Sequence, residues 1–352
     1  MQTRARRDWP SLRRAWLLAR LCVLAVAVVG SARAEPAASE DVAAVQAHVD
    51  KAVVLAGDDL KTPLFLCRAD SGSVVRDALK TGSSQWIEPT RLFDNLFYIG
   101  NRFVGVFVVK TSAGLILFDS TTSPDDAENH LAPGLTALGL RPEDIRYVIV
   151  THGHWDHFGG AAWLQKTYGA RVGLSRADWD MIENEPADTL GADGHAIPKR
   201  DLVIRDGQTL VLGDTRIKLY LTPGHTPGTV SAIVPARENG KTYALSLLGS
   251  VAFPPNLQAT ATNGGLLKYD ASVRRFAAIS RRAGAVGILN THVFADGGLD
   301  RLAAAESRQT GQPNPYLIGA GATGRYYALL DECLQAAIGR AKSAGAPATG
   351  GW

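Results

Sequence analysis

One short segment, Thr-His-Gly-His-Trp-Asp-His at residues 151–157, constrains the fold more than any other part of the chain. It follows the apolar run 146–151, which predicts a strand buried on both faces. His152 and His154 are two residues apart, so in extended backbone their side chains point the same way. Together with Asp156 and His157, they supply the imidazole and carboxylate groups that suit zinc. The segment therefore predicts a metal site at the end of a buried strand.

Two further histidines follow apolar strands in the same manner. His225 lies in a Thr-Pro-Gly-His-Thr-Pro-Gly turn after the predicted strand 216–221, and His292 follows the predicted strand 286–290. One cluster cannot complete the coordination of two metal ions, so more ligands have to come from elsewhere in the chain. We therefore expect His225 and His292 to join the cluster at 152–157.

The other histidines of the mature chain lack this context, and no role is predicted for His48, His130 or His195. The loop 184–199 is polar and contains Gly and Pro, and it would involve His195 only if it folded over a substrate. Neither Ser231 nor Ser250 lies in a G-x-S-x-G context, so no serine nucleophile is predicted.

The remaining pattern predicts two similar halves, each with strands first and then a helix, a strand and a helix. Strands of the first half are predicted at 96–99, 103–110, 115–119, 146–151 and 171–174, with helices at 124–139, 159–168 and 176–183. Strands of the second half are predicted at 202–204, 209–211, 216–221, 230–234, 243–248 and 286–290, with helices at 271–282, 299–308 and 323–342. Upstream, the Ala-rich residues 38–56 predict a helix, and the rest of the chain up to residue 85 is predicted to be irregular. Two packed sheets with helices outside is the simplest arrangement.

The first 34 residues are typical of a secretory signal peptide. A basic head precedes the apolar run 21–30, and Ser-Ala-Arg-Ala places small residues at the −3 and −1 positions of a cut after Ala34. The apolar run is too short for a membrane anchor, which needs about 20 residues. We therefore expect a periplasmic or secreted protein without stable membrane insertion. Arg13-Arg14 leaves both general secretion and twin-arginine export open.

Removal of this segment changes both the charge and the cysteine content. Residues 1–34 carry seven Arg and one Asp, a net charge of +6, so the mature chain carries −3 although the whole chain carries +3. No basic stripe remains to indicate nucleic-acid binding, and the expected partner is a small-molecule substrate. In an oxidising compartment, Cys67 and Cys333 can pair, and the alternative is two separate buried thiols.

From about Trp86 to about Ala336, the chain resembles the metallo-β-lactamase superfamily, whose H-x-H-x-D-H motif stands at 152–157. The resemblance extends to the Leu-Ile-Leu-Phe-Asp strand that ends at Asp119, to the turn around His225 and to His292. It implies a four-layer αββα sandwich of the α/β (α+β) class. The implied organisation is a signal peptide at 1–34, an irregular and helical extension at 35–85, the metallo-β-lactamase domain at 86–342 and a disordered tail at 343–352.

The resemblance also implies two zinc ions, each held by three side chains. By position, His152, His154 and His225 would hold the first ion, and Asp156, His157 and His292 the second. Asp119 would support the metal loops from outside the coordination sphere. In such an enzyme, a hydroxide shared by the two ions and oriented by Asp156 attacks a strained or activated carbonyl.

The predicted substrate class depends on Ser250. Many members of the superfamily have an aspartate here that bridges the metals, whereas Gly249-Ser250 resembles the third subclass of true metallo-β-lactamases. This predicts hydrolysis of the cyclic amide of β-lactams.

Three departures from that subclass favour another substrate. A second serine is common where this chain has Ala252, a Gly-Tyr pair is common where it has Pro254-Pro255-Asn256, and a Gly is common where Ser120-Thr121-Thr122 follow Asp119. A hydrolase of lactones, thioesters or other esters is therefore the alternative, and a non-catalytic periplasmic zinc-binding protein is a third hypothesis.

Overall fold

The computed structural model of the chain describes residues 36–184, 196–260 and 264–344. From residue 37 onward, the described residues form one compact unit. The predicted signal peptide, His195 and most of the predicted tail lie outside the described residues. Within the described ranges, no helix combines the length and the apolar character that crossing a bilayer requires.

The first sheet has seven strands, arranged in the order in which they occur along the chain. They are β1 Thr90–Arg91, β2 Leu96–Gly100, β3 Gly105–Thr111, β4 Gly114–Phe118, β5 Ile145–Ile149, β6 Arg171–Ser175 and β7 Leu202–Ile204. Neighbouring strands are antiparallel from β1 to β4 and parallel from β4 to β7. The interior strand β5 is covered on both faces, since Val148 and Ile149 belong to two different core clusters. This double burial explains its nearly continuous apolar sequence.

Helices cover the outer face of the first sheet. They are α3 Pro124–Asp126, a π turn Ala127–Leu131, α4 Ala132–Ala137, α5 Trp155–Phe158, α6 Ala161–Tyr168 and α7 Arg176–Asn184. Leu135, Leu164 and Trp179 from these helices share one core cluster with the outward-facing side chains of the sheet. The helix predicted at 124–139 is confirmed as a single helical stretch whose middle turn is wider than an α-helix.

The second sheet has five strands in the order β12-β11-β10-β9-β8. They are β8 Thr209–Leu212, β9 Thr215–Leu221, β10 Val230–Glu238, β11 Lys241–Leu247 and β12 Ala285–Leu289. Phe107 and Phe118 of the first sheet pack with Leu219, Val234 and Leu247 of the second in one buried cluster between the sheets. The outer helices on this side are α8 Leu266–Arg282 and α10 Gly319–Ser343. A further helix, α9 Gly298–Glu306, packs through Leu302 against the cluster between the sheets. The predicted αββα sandwich is therefore confirmed.

The segment before the first sheet is more regular than predicted. It contains α1 Pro36–Ala56, a 3₁₀ turn Thr62–Cys67 and α2 Ser71–Gly82. Both helices precede β1, so they are the first two helices of the chain. The prediction that the chain is irregular from residue 57 to 85 was wrong for α2. Four apolar side chains on one side of this helix are half-buried, namely Val74, Val75, Ala78 and Leu79. The two β-branched valines and the terminal glycines obscured this helical spacing in the sequence.

A disulfide joins Cys67, at the end of the 3₁₀ turn, to Cys333 in α10. Both cysteines are buried, and Leu66 and Leu330 pack in the same core cluster. The Arg340 side chain also donates a hydrogen bond to the Cys67 carbonyl oxygen at 2.6 Å. The segment before the first sheet is therefore fixed to the last helix both covalently and by packing.

We expect the double substitution Cys67→Ala and Cys333→Ala to lower the free energy of unfolding by about 2–5 kcal/mol. The bond closes a loop between residues 266 positions apart, which restricts the unfolded chain far more than the folded one. Urea unfolding of the oxidised wild-type protein and of the variant measures the difference. Equal free energies of unfolding would mean that the disulfide contributes nothing to stability.

Candidate metal centre

Three strands of the two sheets end where the six predicted ligands begin. β5 leads into the segment 150–157, β9 into the turn that contains His225, and β12 into the turn that contains His292. The ligands form two groups in which one potential ligand atom of every residue lies within 4.8 Å of the others. The first triad is His152, His154 and His225, and the second triad is Asp156, His157 and His292. The structure thus brings the two distant histidines to the cluster at 152–157.

The donor atoms of each triad converge closely. In the first triad, His154 Nδ1 lies 2.9 Å from His225 Nε2. In the second triad, His157 Nε2 and His292 Nε2 lie 3.1 Å apart, and Asp156 Oδ2 lies 3.4 Å from each of these nitrogens. Ligands placed tetrahedrally at the usual zinc distance of about 2.0–2.1 Å stand about 3.3 Å from one another. Both triads therefore have the donor spacing of a metal site.

In four of the imidazole rings, the nitrogen Nδ1 that faces away from the triad forms a hydrogen bond. Each of these rings can donate from Nδ1: His152 to Gly249 O at 3.1 Å, His225 to Ala252 O at 2.9 Å, His292 to Phe103 O at 3.1 Å and His157 to Asp119 Oδ2 at 2.7 Å. A proton held on Nδ1 leaves Nε2 free as an electron-pair donor. This arrangement orients the rings and fixes the tautomer that metal binding needs.

The environment of one atom indicates whether these residues fit a metal ion. His152 Nε2 is buried and has no hydrogen-bond partner within the part of the chain that the structure describes, although a buried polar atom normally has one. An ion in the first triad would satisfy this nitrogen. Three imidazoles in one triad, and two imidazoles with a carboxylate in the other, are also donor sets that zinc accepts. The residues present therefore fit zinc.

Asp119 connects the end of β4 to the metal loops. Its carboxylate is fully buried and accepts hydrogen bonds from the Thr151 backbone N–H at 2.6 Å, the Thr151 hydroxyl at 3.0 Å and His157 Nδ1 at 2.7 Å. Its φ of 68° lies in the left-handed region, which a non-glycine residue adopts only when its surroundings compensate the strain. The three hydrogen bonds provide that compensation and hold the segment at 151–157 against β4.

Gly159 and Gly160 allow a close contact beside the second triad. A Cβ on Gly159 would lie 2.0 Å from the Thr122 carbonyl oxygen, and one on Gly160 would lie 2.1 Å from the Ser120 carbonyl oxygen. The Ser120 N–H donates to the His157 carbonyl oxygen at 2.9 Å across the same contact. The two glycines therefore permit a close approach to the loop after Asp119.

Burial and charge divide the histidines into two electrostatic classes. Burial lowers the pKa of His154 and of His292 to about 4, and it lowers the pKa of His152 and of His225 well below the usual value. Burial also acts to lower the pKa of His157, but the carboxylates of Asp156 and Asp119 outweigh it and raise this pKa to about 10. For Asp156, the neighbouring histidines outweigh burial and lower the pKa. Four imidazoles are thus kept neutral, as metal ligands must be.

Ser250 lies beside the first triad, next to the carbonyl that orients His152. Its side chain is buried, and its hydroxyl has no hydrogen-bond partner among the described residues. Its backbone carbonyl accepts a hydrogen bond from the Tyr269 hydroxyl. The segment that contains Ser250 is therefore anchored through its backbone, while the side-chain hydroxyl forms no hydrogen bond with the described residues.

The sequence did not reveal one buried acid next to this centre. Asp178 in α7 accepts hydrogen bonds from the Gly153 backbone N–H at 3.0 Å and from the Thr226 hydroxyl at 2.8 Å. The available signal was weak: Asp178 stands beside Trp179 and near Met181 and Ile182 on the side of α7 that is buried. An acidic residue on the apolar side of a helix requires partners, and here the partners belong to the metal loops.

The family model of the metallo-β-lactamase superfamily matches residues 99–237. The solved structure of a subclass B3 metallo-β-lactamase of Bradyrhizobium japonicum matches with a TM-score of 0.66 at 26% identity, over 76% of this chain and 100% of that one. The present chain is thus similar to the metallo-β-lactamase superfamily in its metal motif and in its fold. A subclass B3 metallo-β-lactamase isolated from a soil metagenome library matches its fold with a TM-score of 0.61 at 26% identity, over 74% of this chain and 99% of that one. The resemblance predicted from the sequence is therefore confirmed.

Relatives found by sequence have a different named activity. A hydroxyacylglutathione hydrolase of Acidiphilium cryptum is 33% identical over 100 residues, which are 28% of this chain and 35% of that protein. The chain thus spans about a third of the length of the curated relative that it matches. A match over so small a share of both proteins leaves the substrate open.

The pKa shifts predict how the stability of chelator-treated protein depends on pH. The four histidines with lowered pKa are neutral in the folded protein but gain protons in the unfolded chain below about pH 6.5, so their stabilisation is lost as the pH falls from about 6.5 toward 4. His157 acts in the opposite direction, but its contribution is lost mainly as the pH rises from about 6.5 to about 10. We expect a free energy of unfolding at pH 5 that is lower than at pH 7 by about 1 kcal/mol or more.

Urea unfolding at the two pH values measures this difference. The variants His154→Gln and His292→Gln, which lack one of the shifted groups each, should show a smaller difference than the wild-type protein. Equal or greater stability of the wild-type protein at pH 5 would contradict the prediction.

Proposed function

We propose that this protein is an exported zinc hydrolase that opens the cyclic amide of β-lactams. The observation that carries this proposal is the match to a subclass B3 metallo-β-lactamase over the whole length of that chain. Ser250 supports it, because a serine here cannot bridge two metals as an aspartate does in other branches of the superfamily. Metal-dependent hydrolysis is common to the activities named for the relatives found by structure and by sequence, and the β-lactam substrate is the finer part of the proposal.

The proposed reaction needs two buried metal ions close to each other. Zinc ions held by the two triads would supply an activated water and would stabilise negative charge on the substrate oxygen. The rings of His152 and His157 lie 3.9 Å apart between centroids, so the two triads are adjacent. The chain itself keeps four of the ligand imidazoles neutral by burial. Outer hydrogen bonds also hold the tautomers of three of them, His152, His225 and His292.

Asp156 has a second proposed role beside metal binding. Its carboxylate oxygen lies 3.4 Å from both His157 Nε2 and His292 Nε2 at the centre of the second triad, and the side chain is almost entirely buried. The surrounding histidines lower its pKa, so the carboxylate is ionised at neutral pH and can accept a hydrogen bond from the attacking water. Asp156 would thereby orient this water toward the carbonyl.

The second candidate function is hydrolysis of a thioester, lactone or other ester. It is supported by the hydroxyacylglutathione hydrolases among the relatives and by the surroundings of the site. The hydroxyls of Ser120, Thr121 and Thr122 bond to His157 O, Ser123 O and Asp126, so internal partners already engage them. With Ala252 in place of a second serine, few hydroxyls remain to hold the carboxylate that every common β-lactam carries.

The two candidates are separated by a substrate panel. The mature protein, residues 35–352, is assayed with a penicillin, a carbapenem and nitrocefin, and in parallel with acyl-homoserine lactones and an S-acyl glutathione. We expect the highest kcat/KM on a β-lactam. Turnover of a lactone or thioester with none on the β-lactams would replace the first candidate by the second, and zinc binding without turnover of any substrate would favour a non-catalytic protein.

We expect His154→Ala and Asp156→Ala each to lower kcat/KM by more than about 100-fold and to reduce the zinc content, because loss of residues that only orient ligands already costs about 10–100-fold. Metal analysis accompanies the kinetic assay. His130→Ala is the matched control, since His130 is exposed and stacks on Trp86 outside both triads. Unchanged hydrolysis by either ligand variant would refute the assignment of these residues.

We also propose export to the periplasm or beyond, with cleavage after Ala34. The Cys67–Cys333 disulfide supports this location, because structural disulfides persist in oxidising compartments and are rare in the cytosol. Expression of the full chain in a Gram-negative host, followed by fractionation and mass spectrometry, is the test. We expect a periplasmic protein that begins at Glu35; an uncleaved cytosolic product would contradict the proposal.

A further inference from the structure

Asp178 is a buried carboxylate that belongs to neither metal triad. It lies in the first turn of α7, and its exposed fraction is 1%. One oxygen, Oδ2, accepts two hydrogen bonds, from the Gly153 backbone N–H at 3.0 Å and from the Thr226 hydroxyl at 2.8 Å. The two donors are 73 positions apart in the chain, so this oxygen joins two distant segments.

Both donors stand next to ligands of the first triad. Gly153 lies between His152 and His154, and Thr226 directly follows His225. The loop that contains Gly153 follows β5 of the first sheet, whereas the loop that contains Thr226 follows β9 of the second. The first triad is therefore assembled from the two sheets, and Asp178 Oδ2 connects its two halves.

The start of α7 is shaped to receive both loops. A Cβ on Gly153 would lie 2.6 Å from Met181 Cε and 2.9 Å from Ile182 Cγ2. A Cβ on Gly228, in the other loop, would lie 2.7 Å from Asp178 Oδ1 and 2.9 Å from the Asp178 backbone nitrogen. The two glycines thus permit the backbone of each loop to rest directly on this helix, at the distance that the hydrogen bonds to Asp178 require.

The hydrogen bonds around Asp178 direct the Thr226 hydroxyl proton toward the Asp178 carboxylate. Thr229 Oγ1 accepts from the Thr226 backbone N–H at 3.1 Å and can donate to Thr226 Oγ1 at 2.7 Å. The Thr226 hydroxyl then donates to Asp178, while the Asp178 backbone N–H donates to Ser175 Oγ at 3.1 Å. Such a chain of buried hydrogen bonds fixes the carboxylate in position and makes the connection rigid.

We propose that Asp178 is a positioning residue that sets the separation between the two halves of the first triad and thereby raises its affinity for a metal ion. This inference rests on the proposed metal centre. His154 Nδ1 and His225 Nε2, which lie 2.9 Å apart, are the donor atoms whose spacing depends on the connection. Loss of the connection leaves the Gly153 N–H buried without an acceptor and lets the two loops separate.

The test measures metal affinity at the first triad alone. In the full mature chain with His292→Ala, the second triad lacks a ligand and the first remains intact, and Zn²⁺ affinity is determined by competition with a chromophoric chelator. We expect Asp178→Ala in this background to weaken Zn²⁺ binding by about 10–100-fold, as loss of other groups that orient metal ligands does. Asp178→Asn keeps an acceptor oxygen of the same size at the same place and should restore most of the affinity.

Thr226→Val provides a second, nearly isosteric test in case Asp178→Ala folds poorly. It removes one of the two hydrogen bonds to Asp178, so we expect a smaller loss of affinity, which Thr226→Ser should restore. Asp296→Ala is the matched control, because Asp296 is equally buried but bonds to Gly298 and Arg301 and touches neither loop of the first triad. We expect it to lower the unfolding midpoint without changing the affinity for Zn²⁺.

The outcomes distinguish this inference from the proposed function. If the His292→Ala protein with native Asp178 binds no Zn²⁺, the proposed metal centre itself fails. If that protein binds Zn²⁺ and Asp178→Ala and Thr226→Val bind it equally well, the metal centre stands and the role of Asp178 is refuted. An equal loss of affinity in Asp296→Ala would likewise refute it, because the effect would then follow from general destabilisation.

Discussion

The architecture depends on holding several imidazoles and carboxylates together in a space from which water is excluded. Burying such groups without partners is costly, and the chain compensates by giving nearly every polar atom around the centre a hydrogen bond. Nδ1 of four rings has a carbonyl or carboxylate acceptor, and Asp119 joins the end of β4 to the loop after β5. Among the ligand atoms of the described residues, His152 Nε2 is buried without a hydrogen-bond partner, and a metal ion in the first triad would satisfy it. The two-sheet sandwich serves as the rigid frame that such a cluster requires, since loops alone would not keep six donors aligned.

Much of the fold and of the metal site could be predicted from the sequence, because most of the ligands lie within one short segment. Four ligands lie within the segment 152–157, and the apolar run before it predicts the buried strand that presents them. His225 and His292 were also predictable, since each follows an apolar strand in a setting too specific for a surface histidine. The sandwich followed from two halves of alternating strands and helices, together with the family resemblance. These features follow from the periodicity of apolar residues and from short motifs, which can be recognised without knowledge of tertiary contacts.

The features that the sequence did not reveal all depend on contacts between distant segments. The helix α2 was hidden because its apolar side is only half-buried and begins with two valines. Asp178 was hidden because its partners, a backbone N–H and a threonine hydroxyl, come from two loops that meet only in the folded protein. The carbonyls of Phe103, Gly249 and Ala252 were invisible for the same reason, since a backbone group leaves no trace in the residue type. Sequence patterns thus identify the metal ligands, whereas the groups that orient these ligands by hydrogen bonds are identified only by the fold.

The disulfide between the 3₁₀ turn and the last helix has a consequence for the resistance of the protein to proteolysis. It encloses both sheets and both triads in one covalent ring, because the bonded cysteines lie 266 positions apart on either side of them. A single cut by a protease anywhere between Cys67 and Cys333 therefore leaves two fragments that remain tethered to each other. Since the packed sheets and the donor groups would still be present at the same local concentration, a nicked molecule can keep its shape, and two cuts or a reductant are needed to separate its parts.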